Sequence, residues 1–231
     1  MVSTTCLMGL AFTHLLIREK TSIQGLLSGL RDTLVKDRVY VKAYTDLKRL
    51  KGAGLLILST TLLLSLFDGL FWTLQPLFYR QATQSHILGG IMLAAFVAPL
   101  VLFELPAGAL ADRHGRGKVL SMGLVFAGIS TWLFSLSLNP YMMILAAFTA
   151  STGIAACWPA LEGMIEEGSP VHRRGETLGV WTVSMDFGYV LGPLFGGILA
   201  GYASISYAFK AVAALLAVFG LIVALKSRRG G

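Results

Sequence analysis

The feature that most constrains this chain is a run from Val119 to Leu161 with no charged side chain. It is about twice as long as the ~20 residues one bilayer crossing needs. Asn139-Pro140 lies near its middle and is a strong turn signal. The run therefore reads as a helical hairpin of two membrane spans. Similar runs occur on both sides. Ala53 to Phe67 is uncharged, is interrupted by Asp68 and stays apolar to Tyr79. Ile87–Phe103, Phe187–Phe209 and Ala211–Leu225 are also free of charge. The spans predicted are about 53–79, 87–107, 119–138, 141–163, 178–200 and 205–226. The fold class is then an all-α membrane protein, a bundle of six transmembrane helices. Only 13% of the residues are charged, against about 25% in a soluble domain.

The basic residues follow the same division. Residues 18–51 hold nine, the loop at 112–118 three, the segment 166–176 two and the tail three. These are alternate connections, so 17 of the 19 share one side, and only Arg80 and Lys210 fall on the other. Lysine and arginine collect in cytoplasmic loops. Both ends of the six-helix unit are therefore expected inside, and the chain in the cell membrane. The net charge of +7 reads as topology, not as affinity for nucleic acid. Cys6 and Cys157 lie apart in apolar stretches and suggest two buried thiols. The sequence has no metal-ligand cluster, nucleotide-binding loop or catalytic triad, so neither an enzyme nor a cofactor is expected.

Ahead of the bundle, residues 1–17 are apolar and stop at Arg18-Glu19-Lys20. They read as a partial transmembrane helix. In residues 18–52, Ile23, Leu26, Leu27, Leu30 and Leu34 recur at helical spacing among basic residues. That pattern fits an amphipathic helix on the cytoplasmic face, or a linker helix packed on protein.

The most particular segment runs Leu105-Pro-Ala-Gly-Ala-Leu-Ala-Asp-Arg-His-Gly-Arg-Gly-Lys118 and lies between the second and third spans. Gly108 permits close helix approach. Asp112 stands at a helix terminus, where a carboxylate can accept backbone N–H groups of the next helix start. Gly115 permits a turn with positive φ. Arg113 and Arg116 can pair with carboxylates at the membrane mouth, and Lys118 closes the motif.

This segment resembles the signature loop of the major facilitator superfamily of secondary transporters, which follows the second helix of each six-helix half. Residues 159–175 resemble the end of that family's fourth helix and the loop after it, which includes Arg174. Gly179, Gly188, Gly192-Pro193 and Gly196-Gly197 resemble its glycine-rich antiporter motif. The partial helix, the basic stretch and the short tail resemble the carboxyl-terminal half of such a transporter. The resemblance implies proton- or ion-coupled alternating access for a small solute, with efflux or antiport favoured. It also implies a latch between Glu167 and Arg116 or Arg113. Six helices supply one wall of a transport cavity, so the partner expected is a second six-helix half or a homodimer mate. The rival expectation is a non-transporting assembly partner or a truncated remnant.

Three carboxylates fall within the spans, where each costs about 2.5–3.5 kcal/mol on insertion scales. Asp186 is the deepest along its span and the first candidate for a proton or substrate cation. Asp68 sits in the outer half of the first span, near enough to that face to be hydrated. Glu104 lies near the signature loop, within reach of its arginines. Phe71, Trp72, Tyr79 and Tyr141 fall near span ends, where aromatic belts form. Trp158 lies inside the fourth span, where it can line a cavity or pack.

Overall fold

The computed structural model describes residues 53–168 and 174–229. The partial helix and the basic stretch predicted over 1–52 lie outside the described residues. The six helices are α1 (Ala53–Ala82), α2 (His86–His114), α3 (Arg116–Leu136), α4 (Pro140–Gly168), α5 (Arg174–Tyr202) and α6 (Ile205–Arg229). All six are long and apolar enough to cross a membrane, and the chain is a multi-pass membrane protein. Among the described residues the connections are short. Gly115 alone joins α2 to α3, and its φ of 95° is the only positive-φ glycine there. As expected for that position, its N–H closes α2 on the Ala111 carbonyl at 2.9 Å.

Helix pairing is not sequential. The tightest pairs are α1 with α5, α2 with α4, α3 with α4, and α3 with α6. Lipid is as apolar as leucine, so such contacts depend on close approach and on hydrogen bonds between helices. Small residues supply the approach. On the α1–α5 seam a Cβ at Gly188 would meet the Leu62 carbonyl oxygen at 2.7 Å, and one at Gly192 the Leu70 nitrogen at 2.7 Å. Gly123 and Gly153 face each other in the same way between α3 and α4. Each pair also carries at least one side-chain hydrogen bond. The Trp181 indole donates to Thr61 Oγ1 at 2.9 Å, Ser151 donates to the Phe96 carbonyl, Cys157 Sγ to the Leu120 carbonyl at 3.8 Å, and Ser206 to the Ser135 carbonyl at 2.6 Å.

An aromatic cluster fills the end of the bundle opposite the signature loop. Phe71 stacks on Phe96 at 4.1 Å, and Phe134 meets Phe209 edge-on at 5.0 Å. This corrects the expected belt. Phe71 and Tyr79 are buried in this core, and only Trp72 and Tyr141 are exposed. Proximity to a span end gives depth but not the side of the helix. Cys157 is buried and free.

Two helices are poorly covered. Only 17% of the apolar window of α2 and of α5 is buried, against 67% for α1 and 61% for α3 and α4.

Candidate functional site

Two polar centres stand out. The first is at the α2–α3 joint. Arg116 opens α3, and its Nε and Nη2 donate to Asp112 Oδ1 at 3.1 and 3.0 Å, one helical turn back across Gly115. Its Nη1 lies 3.4 Å from Glu167 Oε1 at the end of α4. Arg116 is thus the link between the loop and α4. Arg113, Lys118 and Arg174 are exposed and form no ion pair among the described residues. Asp112 differs from the expectation: its recorded partner is the Arg116 side chain, not a backbone N–H of the next helix. The single-residue joint brings that guanidinium into reach first.

The carboxylates of Asp112 and Glu167 are 64% and 70% exposed, while Arg116 is 22% exposed. Pairs this open contribute about 0–1 kcal/mol each. They suit a contact that forms in one state and breaks in another. Gly163 leaves the room that lets Arg116 lie against α4. Its bare Cα lies under the guanidinium, so any Cβ there would collide with Nε, Cζ and Nη1. We expect Gly163→Ala to displace the Arg116 guanidinium and so loosen its contact with Glu167, as Arg116→Gln does, with melting shifted by only a few degrees. The double variant is expected to be no worse than either single one, because both remove one contact. Additive losses in melting temperature would show that Gly163 acts elsewhere.

The second centre is a buried polar stripe on α1. Thr61, Ser65, Asp68 and Gln75 recur at helical spacing, and all four are buried. Asp68 is 5% exposed, which corrects its expected hydration. Close approach of α5 over Gly69, whose Cβ would meet the Tyr189 carbonyl oxygen at 2.8 Å, seals it from that side. The Tyr189 hydroxyl donates to Asp68 Oδ2 at 3.5 Å. The Trp158 indole lies beside the carboxyl group and meets Trp181 edge-on at 6.3 Å. Asp68 Oδ1 and Ser65 Oγ have no hydrogen-bond partner. The signal for this stripe is in the sequence, in the polar residues at positions 61, 65, 68 and 75 of an otherwise apolar span.

The other two acids are placed differently. Asp186 is exposed on α5, one turn from Tyr189, and Glu104 is exposed on α2, near Glu162 of α4. Neither joins Asp68, and neither forms an ion pair among the described residues. For Glu104 this corrects the expected pairing with the loop arginines. Position along a span could not give the angular face, and that face is what separates Asp68 from Asp186.

The motif glycines also divide. Gly188 and Gly192 form the backbone seam with α1, and Gly196 packs against Leu70 and Leu74. A Cβ at Gly179 or Gly197 would meet nothing within 4 Å. Pro193 contributes its ring to the same seam, where a Cβ on Gly69 would lie 3.1 Å from it. Gly108 faces Pro159 of α4 at ordinary contact distance.

A six-helix bundle with this joint, this pairing and this seam is the architecture of a secondary-transporter half, and the chain belongs to the Major Facilitator Superfamily, whose profile matches residues 57–230. Among individual proteins it is similar to multidrug resistance protein 1 of Bacillus subtilis (strain 168). The two are 27% identical over 178 residues, which cover 76% of this chain and 46% of that protein. It is also similar to the quinolone resistance protein NorA of Staphylococcus aureus (strain MRSA252), 26% identical over 111 residues, or 48% of this chain and 29% of the relative. The chain therefore spans less than half the length of these relatives.

Proposed function

We propose that this chain is one half of an efflux transporter for small, largely apolar solutes, driven by an ion gradient with the proton as coupling ion. The observation that carries the proposal is Asp68, a carboxyl group buried on a polar stripe with one oxygen unpartnered. A charge held in that position is costly unless a proton or a cation neutralises it. A group that must be neutralised in one state and can be hydrated in another couples the two states to an ion. The family and the names of the two relatives support export of drug-like molecules. The positive-inside count supports a cytoplasmic signature loop, where the Arg116 contacts close the inner mouth.

The uncovered faces of α2 and α5 are where a mate would dock. A second, non-identical six-helix half fits them better than a second copy. Glu104, Glu162 and Asp186 lie exposed on this half, and among the described residues the spans hold no lysine or arginine near them in sequence, so a copy would bring further acids to acids.

The test is reconstitution. The chain is placed in proteoliposomes alone and with a complementary amino-terminal half, and extrusion of a fluorescent quinolone is followed under an imposed pH gradient. Extrusion is expected only with both halves and only with the gradient. Extrusion by the chain alone would overturn the partner assignment. No gradient-dependent flux in any combination would favour the non-transporting reading.

A further inference from the structure

On α1 the hydroxyl side chains follow one habit, with one exception. Ser59, Thr60, Thr61 and Thr73 each donate to the carbonyl three or four residues back, at 3.1, 2.7, 2.9 and 2.8 Å. That bond is the usual recourse of serine and threonine within a helix. Ser65 does not make it. Its side chain is fully buried, and its Oγ has no hydrogen-bond partner. A buried hydroxyl left so opposes folding. Alanine would fill the same space without that cost, so packing does not account for the serine.

The second unpartnered atom lies one turn on. Asp68 follows Ser65 by three residues, and its Oδ1 also lacks a partner. Residues three apart share a helix face, with Cβ atoms about 5–6 Å apart. A serine and an aspartate together span that gap, so a turn about χ1 brings Ser65 Oγ to Oδ1. α5 closes over both residues. A Cβ on Gly188 would meet Ser65 Cβ at 2.5 Å, and the next residue, Tyr189, donates to Asp68 Oδ2. No donor from α5 reaches Oδ1.

The titratable groups that face Asp68 are Tyr189 of α5 and Cys157 of α4. Asp186 stands one turn from Tyr189, Glu104 of α2 lies beside Glu162 of α4, and Lys210 is near the outer end of α6. Among the described residues none of these pairs with Oδ1. The Ser65 hydroxyl is the donor left for it.

We propose that Ser65 is a positioning residue for ionised Asp68: its hydroxyl turns to donate to Oδ1 when the carboxyl group gives up its proton. With Tyr189 on Oδ2, both oxygens of the carboxylate are then satisfied. This rests on the reading of Asp68 as the coupling group, and adds to it what lets the charged form exist in a dry seam. A hydrogen bond to a charged oxygen is about twice as strong as one to a neutral oxygen, so the serine favours the ionised form. Without the serine, the proton stays on Asp68 to higher pH.

The test is an infrared titration of the purified full chain in detergent. The carbonyl band of protonated carboxyl groups is followed against pH, and the component lost in Asp68→Asn belongs to Asp68. Ser65→Ala is expected to move the midpoint of that component up by about one pH unit, with melting unchanged or raised. Thr60→Val removes an equally buried hydroxyl of α1, one already bonded to the Leu56 carbonyl. It is expected to leave the midpoint in place. Ser65→Cys, a weaker donor, is expected to shift the midpoint the same way by less, and serves if the alanine variant does not fold. In the assembled transporter, the pH profile of gradient-driven extrusion is expected to move with the band. A midpoint that neither Ser65 variant moves overturns the proposal and leaves the coupling reading standing, as does an equal shift in Thr60→Val. Absence of any titrating component for Asp68 overturns the coupling reading, and this inference with it.

Discussion

Replacing Gly192 by leucine is expected to lower the melting temperature of the purified chain by at least about 6 °C, while leucine at Gly197 leaves it unchanged. The two positions lie on one helix within one motif, and differ in what surrounds them. A Cβ on Gly192 would stand within 3 Å of the α1 backbone at Leu66, Gly69 and Leu70, and one on Gly197 would meet nothing within 4 Å. Backbone cannot swing aside as a side chain can, so the leucine must push α5 off α1. Overpacking of this kind costs about 1–3 kcal/mol and occasionally more. For a chain of this size each kcal/mol shifts melting by roughly 2–4 °C, and leucine against backbone belongs at the upper end. Fluorescence-detected melting in detergent reads the pair directly. Equal losses at both positions would mean that the motif acts as a unit, and that the seam is not what Gly192 serves.

The same substitution carries a functional consequence. Tyr189 lies one turn before Gly192 and donates to Asp68 across the seam. Separating α5 from α1 therefore removes the hydroxyl from the carboxyl group as well. Gly192→Ala, whose Cβ alone meets that backbone, is expected to lower melting less than the leucine but in the same direction.

The contrast between these glycines marks where the sequence could be read and where it could not. Apolar runs and the Asn139-Pro140 turn were enough to place six spans, because a charge deficit over about 20 residues has few other meanings. Gly115 was legible because a one-residue joint after a helix needs a positive φ, whatever the rest of the fold does. The pairing of α1 with α5 was not legible. Lipid-facing and protein-facing sides of these helices are both apolar, so periodicity does not tell them apart. Readings that needed an angular position were the ones the structure changed, as at Phe71, Tyr79 and Asp68. Asp186 lies in the middle of α5 on a face this half leaves exposed. Asp68 was placed near water, yet is buried. Gly163 went unnoticed because its role exists only once α4 lies beside Arg116. Polar residues could have told the sides apart, since a polar stripe on an apolar span marks the inward side, and Thr61, Ser65, Asp68 and Gln75 form one.

Asp68→Asn is expected to abolish gradient-driven extrusion, at least ten-fold, and to leave the melting temperature unchanged or raised. The two expectations must be measured together, because they separate a coupling role from a structural one. Asparagine keeps the shape and the acceptor that Tyr189 uses, so packing is preserved. It removes a charge that has no cationic partner among the described residues, and a buried unpartnered charge opposes folding. A structural acid would instead lower stability when lost. Asparagine cannot release or take up a proton, so under the proposed coupling the two states of the bundle would lose their link to the gradient. Downhill exchange of solute, which needs no coupling ion, is expected to survive in the same vesicles. Tyr189→Phe is expected to give a milder form of the same defect, since it deletes a single long hydrogen bond of 3.5 Å. Asp186→Asn, on the exposed face of α5, is expected to retain gradient-driven extrusion. Were Asp186→Asn to lose coupling while Asp68→Asn kept it, the coupling site would belong on the face that meets the second half, and the buried stripe would be only an internal polar seam.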